Sequence, residues 1–92
     1  MSYYEFTEVE TLVWNFLHDI NMCCNPDKWK EGYKEFIKYC KRKISYTEFE
    51  DTLLEFRNYY YCIGYDYNYE TKEFGKFHFS KTYKPKLFDL KE

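Results

Sequence analysis

Residues 58–70 read NYYYCIGYDYNYE, and the fold turns on where in this stretch the hydrophobic period changes. Upstream of it, Phe49, Leu53, Phe56 and Tyr60 recur at three- and four-residue intervals, which places them on one face of a helix. From Tyr61 the interval becomes two. Tyr61, Ile63, Tyr65, Tyr67 and Tyr69 alternate with Cys62, Gly64, Asp66 and Asn68, the spacing of a strand. After NYETKE a second alternating run, FGKFHFSKTY at 74–83, carries Phe77, Phe79 and Tyr83 on one face and Lys76, His78, Ser80 and Thr82 on the other. The two runs are expected to form a β-hairpin over residues 60–83. Without an Asn-Gly pair the closing loop should take three to five residues. Tyr61, Ile63 and Tyr65 are the residues expected to face the helices, and the other tyrosines to pair across the hairpin or lie exposed.

Working back from the hairpin, three helices precede it. SYTE at 45–48 is a capping box, and the stripe that follows predicts a helix over 45–58. Asn25-Pro26 stops one helix and starts another, because the residue before proline is pushed out of the α region while Pro is welcome in a first turn. The helix so started runs over 26–43, with Trp29, Tyr33, Phe36, Ile37 and Cys40 as its apolar stripe. The first helix, over 7–24, opens with Thr7 and Glu10 in capping-box spacing and carries Val9, Leu12, Val13, Phe16, Leu17, Ile20 and Cys24. The expected fold class is therefore α+β, three helices then a hairpin, in a single domain of 92 residues. A tail from 84 to 92 offers Leu87, Phe88 and Leu90 for docking on the body or on a partner.

The core must be aromatic, since the chain has twelve Tyr and nine Phe and no Ala. Each ring buries about 150–250 Å², so a few replace many leucines. Enrichment in Phe, Tyr, Asn and Lys with only three Gly and two Pro is also what AT-rich codons supply, pointing to a low-GC bacterium or one of its phages or plasmids. The opening MSYYEFTEVE has neither a basic region nor an apolar core, so no export leader is expected and the compartment is expected to be the cytoplasm. No apolar run is long enough to span a membrane. On that footing Cys23, Cys24, Cys40 and Cys62 are expected as reduced thiols rather than disulfides.

This order of elements resembles a winged helix-turn-helix domain over residues 7–83. The resemblance implies that helix 45–58 is the recognition helix and 60–83 the wing. The charges run against ordinary duplex reading by that helix: residues 45–58 carry Glu48, Glu50, Asp51 and Glu55 against Arg57. The positive charge lies elsewhere. Lys30, Lys34, Lys38 and Lys41, with Arg42 and Lys43, mark the second helix, and Lys76, Lys81, Lys84 and Lys86 lie near Phe77 and Tyr83. Cations interleaved with rings suit nucleic acid.

No catalytic constellation is legible. His18 and His78 stand apart, there is no Gly-rich phosphate loop, and neither G-x-S-x-G nor H-E-x-x-H occurs. The adjacent Cys23-Cys24 pair is not a C-x-x-C knuckle, so neither metal nor cofactor is expected and the chain reads as non-enzymatic. Two binding readings follow. In the first, Glu48, Glu50, Asp51 and Glu55, with the acids Glu5, Glu8, Glu10 and Asp19 around the first helix and with Tyr59, Tyr67 and Tyr69, form an acidic, tyrosine-rich surface. Such a surface would bind a host or defence protein, as an anti-CRISPR-like or other anti-defence inhibitor does. In the second, a winged-helix-like regulator meets nucleic acid through Lys30, Lys34, Lys38, Lys41, Lys76 and Lys81. Surplus exposed rings would also suit pairing with a second copy.

Overall fold

The computed structural model describes residues 5–90; residues 1–4, on which part of the leader reading rests, and the last two residues of the tail lie outside that range. Three helices precede an antiparallel hairpin: α1 (Glu8–Asp19), α2 (Trp29–Cys40), α3 (Tyr46–Asn58), β1 (Ile63–Asn68) and β2 (Glu73–Phe79). The ααα-ββ order expected from the sequence is the order observed.

Both capping boxes form. Thr7 accepts from the Glu10 N–H while the Glu10 carboxylate accepts from the Thr7 N–H, and Ser45 and Glu48 repeat the exchange at α3. Asn25 accepts from the Asp27 N–H and opens a single 3₁₀ turn, Pro26–Lys28, that runs straight into α2. Helix α2 ends at Cys40, three residues short of the expected 43, because Lys41 turns left-handed at φ 54°.

The largest departure is at the other end of α1, which stops at Asp19 rather than 24. Residues 21–24 are diverted to the hairpin. Asn21 holds Phe77 by both backbone groups, donating to its carbonyl at 2.7 Å and accepting from its N–H at 3.2 Å. Cys23 bridges antiparallel to Lys76, and the Cys24 N–H donates to the Gly75 carbonyl at 2.9 Å. A short third segment thus lies along the outer edge of β2, and the α1–α2 connection becomes part of the sheet. Gly32 makes room for this route: a Cβ there would stand 2.4 Å from the Met22 sulfur.

In the hairpin Ile63 opposes Phe79 and Tyr65 opposes Phe77, with a bulge between Tyr65 and Tyr67 and residues 69–72 closing the loop. Ile63 and Phe77 are buried and Tyr65 half-buried, as the alternation predicts. Tyr61 is not. It adopts φ 56° and is 76% exposed, so it belongs to the corner between α3 and β1 and not to the inward face.

Rings fill the centre. Phe49 of α3 stacks on Phe36 of α2 at 5.0 Å and meets Phe16 of α1 edge-on at 6.4 Å. Trp29 bridges α2 to the hairpin, meeting Tyr65 and Phe77 and donating its indole N–H to the Cys24 carbonyl at 3.2 Å. Phe6, Trp14, Phe56 and Tyr60 form the opposite end of the core. The tail docks there: Phe6 donates to the Lys86 carbonyl at 2.9 Å, and the Phe88 N–H donates to the Thr11 hydroxyl at 2.8 Å. Among the described residues no helix is long and apolar enough to cross a membrane.

Candidate functional site

Helix α3 turns Phe49, Thr52, Leu53 and Phe56 inward, which leaves Glu48, Asp51 and Glu55 on the flank beside Thr52. Where the start of α1 approaches that flank, Thr7, Val9 and Glu10 face Glu48, Asp51, Thr52 and Glu55 across a shallow groove. Asp51 and Glu55 carry the groove into a second depression with Leu54, Asn58 and Tyr59. Of the acidic and aromatic residues picked from the sequence, Glu48, Asp51, Glu55 and Tyr59 therefore come together. Glu50 does not: it is half-buried and accepts from the Tyr46 hydroxyl at 3.2 Å. Tyr67 and Tyr69 lie at the far end of the hairpin, where they meet each other edge-on at 5.0 Å and Tyr67 covers Phe74.

Glu10 forms the floor of this groove. Read from the sequence as a cap within an acidic helix, it is only 6% exposed, and its two oxygens accept from the Thr7 N–H at 2.8 Å and the Tyr60 hydroxyl at 2.9 Å. The consequences are electrostatic. Burial first, then a hydrogen bond that the protonated Glu55 donates to Glu10 and the charges of Glu10 and Asp51, push the Glu55 carboxyl above its ordinary range. The Tyr60 phenol is pushed up for similar reasons, burial leading and the Glu10 contact following. The capping box signals Glu10 in the sequence; its contact with Tyr60, fifty positions on, has no local signal.

The basic residues divide. Lys30, Lys34, Lys38 and Lys41 lie exposed along α2 and just past its end. Lys38 reaches Glu35 at 3.8 Å, and Lys30 stands 5.9 Å over the Tyr46 ring. Lys34, Lys41 and Lys43 have no ion-pair partner among the described residues. Arg42 is committed to Glu8 at 2.9 Å. Lys76 does not join that row: it bridges to Cys23, whose depression is lined on the α2 side by Lys28, Glu31, Gly32 and Glu35. Nor does Lys81. It lies two residues past the end of β2, five positions on from Lys76.

The remaining chemical groups are engaged in packing. His18 donates from Nδ1 to the Trp14 carbonyl at 2.9 Å and stacks on Phe79 at 4.0 Å. His78 lies exposed on β2 with its ring over Gly64. All four cysteines are free thiols; burial pushes the Cys62 thiol up to about 12 and raises that of Cys24. Thiols held protonated in this way are poor nucleophiles. Among the described residues no group of His, Cys, Asp or Glu is arranged to hold a metal ion. No family model matches the chain, and no curated protein or solved structure matches it, so the functional reading stands on the fold and on these two oppositely charged surfaces.

Proposed function

We propose that the chain is a winged-helix-like nucleic-acid-binding domain, of the kind used by small regulators, and that it meets its ligand through α2 and the hairpin rather than through α3. The observation that carries this reading is the exposed lysine row of α2, none of whose members lines the acidic groove beside α3. The sign of each surface selects its role, because a helix face bearing Asp51 and Glu55 repels phosphates while unpaired ammonium groups release counterions on meeting them. The test is fluorescence anisotropy on a short labelled duplex over a salt series. Lys34→Glu with Lys38→Glu should weaken binding at least about tenfold and lower the slope of log affinity against log salt by about two. Wild-type protein that binds neither duplex nor single strand at low salt would overturn the reading.

A second reading is favoured by the acidic groove, where Glu48, Asp51, Glu55 and Tyr59 converge beside exposed Leu54. Carboxylates around an apolar anchor suit a basic surface on another protein, such as a host or defence protein inhibited by a phage- or plasmid-encoded binder. Glu48→Lys with Glu55→Lys should then abolish recovery of a nuclease-resistant partner in affinity purification while helix content by circular dichroism is retained. Unchanged recovery would remove the groove from consideration.

A further inference from the structure

The geometry points to the corner between α3 and β1 as a stacking site for an unpaired nucleobase, with Tyr61 as the platform and Lys81 and Lys84 receiving the adjoining phosphates. This inference rests on the nucleic-acid reading above and adds to it a separate site for an unpaired strand.

Helix α3 is closed off by the Tyr60 N–H donating to the Glu55 carbonyl at 2.8 Å and the Cys62 N–H donating to the Phe56 carbonyl at 2.9 Å. Between those two bonds the chain turns left-handed at Tyr61, at φ 56°. Glycine or asparagine serves this stop without the clash that a bulky L-residue meets there. A ring is therefore not what the turn requires. Nor does the fold use the ring once it is there: Tyr61 is 76% exposed and makes no hydrogen bond or ring contact with any described residue. Its neighbour shows the contrast, since Tyr60 packs against Phe6, Phe56 and Tyr83. A strained backbone that presents an unused ring to solvent is the pattern expected where a ligand, not the core, selects the side chain.

The surroundings name the ligand. The Ser80 N–H donates to the Cys62 carbonyl at 2.9 Å, which continues the hairpin ladder one step past β1 and sets Tyr61 across from Lys81. Lys81 and Lys84 are exposed and have no ion-pair partner among the described residues. Tyr59 takes no part in the site, since it turns to the acidic depression with Asp51 and Glu55. Aromatic faces flanked by ammonium groups are how single strands are held without regard to sequence, because every base has a π-face and every nucleotide a phosphate. A duplex keeps its bases stacked inside and has no face to offer Tyr61.

The experiment compares wild type, Tyr61→Phe and Tyr61→Asn by anisotropy on labelled oligothymidylate of about twelve nucleotides and on a duplex of the same length. Phenylalanine keeps the face and should bind the single strand as wild type does. Asparagine removes the face and eases the turn, so it should lose about fivefold or more on the single strand, bind the duplex unchanged, and melt at or above the wild-type temperature. That melting point excludes unfolding as the reason for the loss. Single-strand binding by Tyr61→Asn equal to wild type overturns the stacking site, as does a wild type that binds duplex alone, and both results leave the broader reading standing. A wild type that binds neither probe overturns both.

Discussion

Phe49 has no solvent exposure and touches rings from both other helices, Phe16 of α1 and Phe36 of α2. In a chain with so few aliphatic side chains nothing nearby can flow into the space it would leave. Phe49→Ala should cost about 3–5 kcal/mol, read as a fall in the urea midpoint with the slope unchanged. Tyr39 gives a prediction of a different kind. Burial, then the hydrogen bond it donates to Asp19, raise its phenol to about 12 from an ordinary 10. A raised folded-state pKa means stability that is fully present below pH 10 and lost as pH climbs to 12. Wild type should therefore lose its advantage over Tyr39→Phe across that interval, as followed by denaturant midpoints. At this scale the sequence is only partly legible. Period-two alternation marks Ile63 and Phe77 as inward-facing, and both are buried. The same alternation assigns Tyr61 inward, because a left-handed φ leaves no trace in a pattern of side chains.

Helix beginnings are readable where local chemistry sets them, and both capping boxes form at the expected residues. The end of α1 is set instead by a distant strand. Ile20 and Cys24 continue the helical stripe in sequence, yet residues 21–24 gain more from the edge of β2 than from another turn of helix. Asn21 is the residue that makes the difference, since its one amide satisfies both backbone groups of Phe77. Asn21→Ala should cost about 1–3 kcal/mol, because it strips partners from backbone groups that are already partly buried. Hydrogen exchange at the Phe77 and Cys24 amides should quicken more than exchange in α3, which would show that the third segment has come away from the sheet. Protection unchanged at those amides would count against that account of the diverted connection.

Across the whole molecule the sign of each helix can be summed from the sequence, but which charges share a surface depends on how the helices cross. Glu48, Asp51 and Glu55 reach a common groove with Glu10 because the start of α1 crosses α3 there; Glu50, between them in sequence, faces elsewhere. Crowding in that groove has a measurable cost. With its pKa raised above the ordinary carboxylate value of 4.5, Glu55 favours folding in its protonated form and loses that contribution as pH rises toward neutrality. Glu55→Gln should accordingly raise the melting temperature at pH 7, with the gain shrinking toward zero below about pH 4.5, where wild type is protonated as well. A gain independent of pH would mean that the charges of the groove are not its origin.

The docked tail has one more consequence. Glu5 and Lys86 lie side by side as a parallel bridge, with the Phe6 N–H on the Lys86 carbonyl, so the segment that enters α1 runs beside the segment that leaves the hairpin. A permuted chain, cut open in the exposed 69–72 loop and sealed beside Glu5 and Lys86, would keep every core ring in its place. Only the order in which the ribosome delivers them would change: the strand that ends α1 would be made before the helix it interrupts.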